Sequence, residues 1–218
     1  MPRALFERHL HELKDELIIM GSMVEKSIAR AIDALNHLDF ELAEQVIQGD
    51  KKINQQRNTL EESCVAMIAQ QQPMASDLRV ILSVMSIVTD LERIGDYAAG
   101  ISEITLLLRD DLPFKSFADI SRMADIGMEM LRSSLKAFVE KDEKAARAIA
   151  LHDDEIDALY HKVLQQCIAY MSQDPKNITA GTRIIWVAHK LERIGDRVTN
   201  ICERVVFTTT GKLEELDK

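Results

Sequence analysis

Six residues occur twice in this chain, Leu-Glu-Arg-Ile-Gly-Asp at 91–96 and again at 191–196. An identity of that length, placed 100 residues apart in a chain of 218, reports an internal duplication. The fold must therefore be one unit made twice, each about the size of a small compact domain. Around both copies apolar residues recur every three or four positions, the period of a helix with one buried face. Glu92 and Asp96 are four apart, as are Glu192 and Asp196, so each pair stands on one helix face, one turn apart. That face points away from the stripe of Leu91, Ile94, Gly95, Ala98 and Ile101. The carboxylates thus flank the internal seam of their helix.

The rest of the chain follows the same plan. Leu10, Leu13, Leu17, Met20, Val24, Ile28, Ile32 and Leu35 predict a long first helix, and Asp39 stands where a cap for the next is needed. The second helix carries Leu42, Val46, Ile53, Leu60, Cys64 and Ile68 and stops at Gln70–Pro73. The third runs from Leu78 through Ile101 and ends at Asp110–Pro113. In the second unit, Ile120 to Phe138 form the fourth helix, Lys141-Asp142 turns, and Ala146 to Cys167 form the fifth. Asp174-Pro175 opens the sixth, which carries Ile184, Leu191, Val198 and Val205, with a frayed tail expected from Thr208. The first two helices match across the copies at an offset of 103 and the third at 100, so the second copy has lost about one turn between them. Long one-sided helices with short joints bury themselves only against each other. The expectation is an all-α fold of six long helices in two tandem antiparallel three-helix bundles, residues 1–112 and 113–218.

Composition narrows the function. The net charge is −9 and no Lys/Arg cluster appears, which argues against a nucleic-acid groove or a polybasic membrane patch. No segment approaches the ~20 apolar residues that span a bilayer, and the N-terminal stretch is charged throughout, so the chain reads as soluble and cytoplasmic. Cys64, Cys167 and Cys202 form no CxxC and read as reduced core thiols, and Trp186 and the methionines as core. Gly95 and Gly195 each cost ~1 kcal/mol in a helix interior. Their recurrence points to close helix approach.

Two polar sets recur. Asp50 and Asn54 stand four apart in the second helix, followed on the same side by Arg57 and Glu61, and the second unit repeats the first two members as Asp153 and Asp157. The third helices carry Glu92 and Asp96, then Glu192, Asp196 and Asn200. Antiparallel packing would bring the two sets of a unit together as a patch of oxygens without histidine or thiolate, ligands for magnesium, calcium, manganese or iron. The same carboxylates also read as a solvated face balanced by Arg93 and Arg193. Converging carboxylates ~4 Å apart repel by ~4 kcal/mol per pair at an effective dielectric of 20, so a tight cluster needs cations or protons and a spread one needs neither. No Glu-x-x-His, GxxxxGK[ST], GxSxG or HExxH occurs, and no nucleophile has an evident base.

The segments GDKKIN, QQPMASDLR, LERIGDYAAGI and LERIGDRVTNICE, in this order and in both copies, resemble the PhoU family of bacterial phosphate-signalling regulators. The resemblance implies two three-helix bundles related by a pseudo-twofold and a function without catalysis. It implies a negative regulator of the phosphate-starvation response and of phosphate uptake, with two partners, the ATPase of the Pst phosphate ABC transporter and a PhoR-type histidine kinase. It implies a homodimer that meets the membrane only through those partners and binds no nucleic acid. It further implies metal ions (Fe, Mn, Mg, Zn or Ni), none needed for catalysis, on Glu92 with Asp96, Glu192 with Asp196 and Asn200, Asp50 with Asn54, and Asp153 with Asp157. Two features depart from the family pattern: Gly100 stands where the second copy has Asn200, and Arg57 and Tyr160 stand where many relatives have an acid. The alternatives are a metal-dependent enzyme acting on phosphate esters, and a direct phosphate sensor built on Arg93 and Arg193, which the −9 charge disfavours.

Overall fold

The structure, a computed structural model, describes residues 3–110 and 118–216. Seven α-helices occur among them: α1 (Arg3–His37), α2 (Phe40–Gln71), α3 (Ala75–Leu107), α4 (Ala118–Glu140), α5 (Glu143–Ala150), α6 (Asp153–Met171) and α7 (Ile178–Thr210). Helices α1 to α3 pack as one bundle and α4 to α7 as the other, with no strand among the described residues. The boundary expected between residues 112 and 113 lies outside the described residues.

The duplication is visible in the joints. Leu38 (φ 51) and Lys141 (φ 58) occupy equivalent positions in the left-handed region. Each is followed by an aspartate cap: Asp39 Oδ1 accepts from the Leu42 N–H at 2.9 Å, and Asp142 Oδ1 from the Ala145 N–H at 3.0 Å. Each cap satisfies one of the backbone donors that a helix start leaves open, worth ~1 kcal/mol.

The expected fifth helix arrives in two pieces. At Leu151-His152 the ladder tightens to i→i+3 bonds, His152 N–H to Ile149 O at 3.0 Å and Glu155 N–H to His152 O at 3.1 Å. The first copy runs straight through the equivalent Gln48-Gly49. The expected fraying at Thr208 is also displaced. Helix α7 continues to Thr210, where Gly211 (φ 75) closes it, its N–H bonded to Phe207 O at 2.9 Å. The residues beyond are tied down by Glu214 on Arg147 at 2.7 Å and by the Leu216 N–H on Glu203 Oε1 at 3.0 Å.

The stripes read from periodicity are the core. Leu17, Met20, Val24, Ile28 and Leu35 of α1 have no exposed surface, and burying a Leu or Ile side chain contributes ~1.5–3 kcal/mol. Cys64, Cys167 and Cys202 are buried free thiols, their pKa values pushed by burial to about 12, 11 and 12. Trp186 departs from expectation: it is 52% exposed, because two positions past Ile184 the α7 stripe has rotated away.

Helices α3 and α7 form the centre, buried on several sides because each packs against its own bundle and against the other. They run antiparallel: Asp90 meets Asn200, Gly100 lies under Lys190, and Leu107 O accepts from Arg183. Asp90 to Asn200 and Lys190 to Gly100 are one contact with the repeats exchanged, the signature of a pseudo-twofold. Helices α1 and α4 make a second antiparallel seam, with Gly21 against Leu135, Glu25 bonded to Arg132, and Asn36 Nδ2 donating to Ser121 Oγ at 3.0 Å.

Candidate functional site

In the first bundle the two recurring sets meet along the α2–α3 seam. Asn54 Nδ2 donates to Asp50 Oδ2 at 2.7 Å, one turn along α2. One turn further, Arg57 bridges the helices, donating from Nε to Glu61 Oε1 and from NH1 to Glu92 Oε1, both at 2.9 Å. Arg93 donates to Asp96 Oδ2 at 3.0 Å and stands 3.5 Å from Glu92 Oε2. The carboxylates are therefore interleaved with guanidinium groups, which offset the repulsion that bare acids would feel.

The compensation is incomplete. Asp50 Oδ1 and Glu92 Oε2 are buried and accept no hydrogen bond, the Arg93 contact to Glu92 Oε2 being an ion pair without bonding geometry. Burial raises the Asp50 pKa, and the charge of Asp96 and, less, of Glu92 raises it further, against the Asn54 hydrogen bond. The repeated glycine has its reason here. A Cβ on Gly95 would stand 3.1 Å from Ile53 Cδ1 and 3.3 Å from Asp50 Oδ1, so the missing side chain leaves the space that the α2 carboxylate uses.

The second bundle repeats the arrangement with different counter-charges. Asp153, the first residue of α6, is buried, and its Oδ1 would lie 2.1 Å from a Cβ on Gly195. That seat is tighter than the Asp50–Gly95 one and coincides with the tightened turn that starts α6. Arg193 NH1 pairs with Asp196 Oδ2 at 2.9 Å. Tyr160 stands where the first copy has Arg57, its ring 6.1 Å from that of His189. His189 Nδ1 is 3.3 Å from Glu192 Oε2, an ion pair only when the imidazole is protonated, and that oxygen accepts no hydrogen bond. Burial first, then Asp196, raise the Glu192 pKa; His189 and Arg193 oppose the rise, and Asp157 adds to it. Asp157 itself is exposed.

Asn200 is placed elsewhere. Its Nδ2 donates to Asp90 Oδ1 across the α3–α7 seam at 3.4 Å, beside Arg197 NH1 at 3.2 Å from the same oxygen. It thus serves the contact between bundles. The Gly100 departure has the same origin, since the Lys190 ammonium would stand 2.5 Å from a Cβ there. Sequence reasoning missed the Asp90–Arg197 pair and the bridge made by Arg57. Asp90 and Lys190, opposite charges at equivalent positions beside the motif, were the available signal for a polar contact between the copies.

Chemically the seams are oxygen donors without a nucleophile. Among the described residues no three His, Cys, Asp or Glu side chains form a group that could hold a metal ion. The buried carboxylate oxygens that accept nothing are nonetheless the donor type a hard cation takes. Among the same residues no helix is long and apolar enough to cross a membrane.

The PhoU domain model matches residues 17–105 and 120–205, one match to each repeat. The chain belongs to the PhoU family. It is 37% identical over 218 residues to the phosphate-specific transport system accessory protein PhoU homolog of Clostridium acetobutylicum, covering all of both chains. It is 33% identical to the Escherichia coli phosphate-specific transport system accessory protein PhoU, covering 98% of this chain and 91% of that one. The crystal structure of PhoU from Pseudomonas aeruginosa superimposes with a TM-score of 0.89 at 35% identity, covering 95% of this chain and 100% of the other. The phosphate transport system regulatory protein PhoU of Streptococcus pneumoniae gives 0.87 at 34%, with 96% and 99% covered. Family membership makes this a non-catalytic regulatory protein of phosphate homeostasis.

Proposed function

We propose that this protein acts in the cytoplasm as an adaptor, restraining the phosphate-starvation response and phosphate uptake by binding the ATPase of the Pst phosphate transporter and a PhoR-type histidine kinase. The observation that carries the reading is the end-to-end match to phosphate-specific transport accessory proteins. The long exposed helix faces and the lack of a nucleophile with a base agree with action by binding. In this reading the protein works as a homodimer, reaches the membrane through its partners and does not engage nucleic acid. Affinity capture from cells grown at low and at high phosphate tests it: recovery of the transporter ATPase and of the kinase supports it, and recovery of neither sinks it.

A second reading concerns the acidic seams. We infer that a divalent or iron-type cation binds Asp50, Glu92 and Asp96 in the first bundle and Asp153, Glu192 and Asp196 in the second, with Asn54 and Asp157 at their edges. The buried, unbonded oxygens of Asp50, Glu92 and Glu192 motivate it. Such an ion would offset the burial and, after it, the carboxylate repulsion that raise Asp50 and Glu192, and would displace Arg57 and Arg93 from Glu92. Elemental analysis of untagged protein should find metal that is lost on Asp96→Ala with Asp196→Ala; metal-free wild type after incubation with iron, manganese or zinc would end the idea.

A further inference from the structure

Two crevices of nearly equal size, ≈ 270 and ≈ 280 Å³, lie at equivalent places in the two bundles, one between α1 and α2 and the other between α4 and α5–α6. Their floors are alike: Met23, Val46 and Ile53 in the first, Ile126, Met130 and Ile149 in the second. Their rims are opposite. Lys26, Arg30 and Lys52 surround the first, and no carboxylate lines it. The equivalent positions of the second are Glu129, Ser133 and Glu155, and Asp125 joins them. The duplication kept the shape and reversed the charge.

The two rims also differ in what they already bind. Glu155 pairs with Arg122 at 3.1 Å and Glu129 with Arg132 at 2.8 Å, so two of the three acids of the second crevice are neutralised within the chain. In the first, Arg30 donates across the crevice to Gln45 Oε1 at 2.6 Å, a neutral acceptor. Neither Lys26 nor Lys52 makes an ion pair among the described residues. Three cations gathered on one crevice, in a chain of net charge −9, make a local positive field that attracts an external acid.

Gly49 sharpens the case. It sits inside α2, at ordinary helical backbone angles, where glycine costs ~1 kcal/mol relative to alanine. A Cβ there would meet nothing within 4 Å, unlike Gly95 or Gly195, so no contact within the chain requires its absence. The second copy has His152 at this position, on the kinked turn. The open backbone at Gly49 is part of the crevice wall and leaves room for a guest.

We propose that the α1–α2 crevice is the docking site for an acidic segment of a partner protein, an apolar side chain seated on Met23, Val46 and Ile53 and flanking carboxylates on Lys26, Arg30 and Lys52. A free inorganic anion gains nothing from an apolar floor. An anionic bilayer recruits larger basic clusters and is repelled by the rest of this chain. The sister crevice of a second copy is a concave, like-shaped surface with two of its three acids already paired, so it is a poor guest for this one. The proposal rests on the adaptor reading for the existence of a partner and deepens it by naming a face.

The test uses the full chain and a short fluorescent peptide carrying one leucine among aspartates, with its lysine counterpart as control, read by polarisation and by backbone amide shifts. The aspartate peptide should bind, weaken with added salt, and shift amides around Gly49 and leave those around His152 in place. Lys26→Glu with Lys52→Glu should weaken it by roughly tenfold or more. Gly49→Leu, which fills the crevice and favours the helix, should abolish binding with an unchanged or higher Tm. Equal binding of the lysine peptide, or unchanged affinity in Gly49→Leu, overturns the proposal. So do saturable shifts at the crevice from inorganic phosphate alone, vesicle binding that Lys26→Glu removes, or a wild-type dimer that Lys26→Glu dissociates. Capture of the transporter and kinase reads binding through any face, so a failed peptide assay leaves the adaptor reading standing, and failed capture with a positive peptide assay separates the two in the other direction.

Discussion

The repeated glycines allow a comparison inside one molecule. Gly95→Ala and Gly195→Ala both gain ~1 kcal/mol from the helix backbone. At Gly95 the new methyl would meet Ile53 Cδ1 at 3.1 Å and Asp50 Oδ1 at 3.3 Å, contacts relieved by a shift of a few tenths of an ångström. The gain and the crowding should nearly cancel. At Gly195 the methyl would lie 2.1 Å from Asp153 Oδ1 and 3.1 Å from Ile156 Cδ1, so Asp153 must move by roughly 1 Å or more to restore ordinary contact. Asp153 is buried and begins α6 directly after the tightened turn, so its carboxylate has little room to swing. Overpacking of this kind costs ~1–3 kcal/mol, more when a buried carboxylate loses its place. The net for Gly195→Ala is a loss of about 1–2 kcal/mol, a Tm decrease of about 2–8 °C in a chain of this size. Paired calorimetric melts and urea titrations of the two single variants measure it. Adding Asp153→Ser should return part of the loss in Gly195→Ala and none in Gly95→Ala. Equal effects, or a larger one at Gly95, would refute the claim that this glycine exists to seat the carboxylate of the neighbouring helix.

Other consequences are equally direct. Asp90→Ala strands Arg197 and Asn200 at the seam between bundles and should destabilise by about 2–3 kcal/mol, below a fully buried pair because Arg197 keeps some solvent; urea titration reads it. Arg57→Ala removes a donor to buried Glu92 and should cost about 1–3 kcal/mol by the same method, whereas Tyr160→Phe, at the equivalent position, should cost less. Asp50 holds its proton more tightly folded than unfolded, so its ionisation lowers stability as pH rises through the raised value. In chelator, Asp50→Asn should therefore raise Tm at neutral pH, and the advantage should shrink as pH falls through the raised value and the wild-type carboxyl takes up its proton; a gain independent of pH would contradict the assignment.

Local regularities carried much of this architecture. A helix stripe depends only on spacing, and from Leu13 to Leu35 every predicted residue of α1 is buried, with Gly21, Ala31 and Ala34 buried beside them. Asp39 was readable as a cap, and Lys141-Asp142 as a turn, because both are settled within a few residues. The acids of the motif were readable as a shared edge for the same reason: four residues along a helix is one turn. The kink at Leu151-His152 was not readable, since no proline or glycine marks it.

Acting alone, the amino-acid order determined that one three-helix unit was copied, which faces of its helices are apolar, and that Glu92, Asp96, Glu192 and Asp196 stand beside their seams. Those are properties of spacing along a single helix. Only tertiary structure decided that Arg57 lies among the acids of the first bundle, that Asn200 turns to Asp90, and that Lys190 covers Gly100. Each of these is a meeting of helices far apart in the chain. Which residues meet is set by the crossing and register of packed helices, to which the spacing within any one helix is blind.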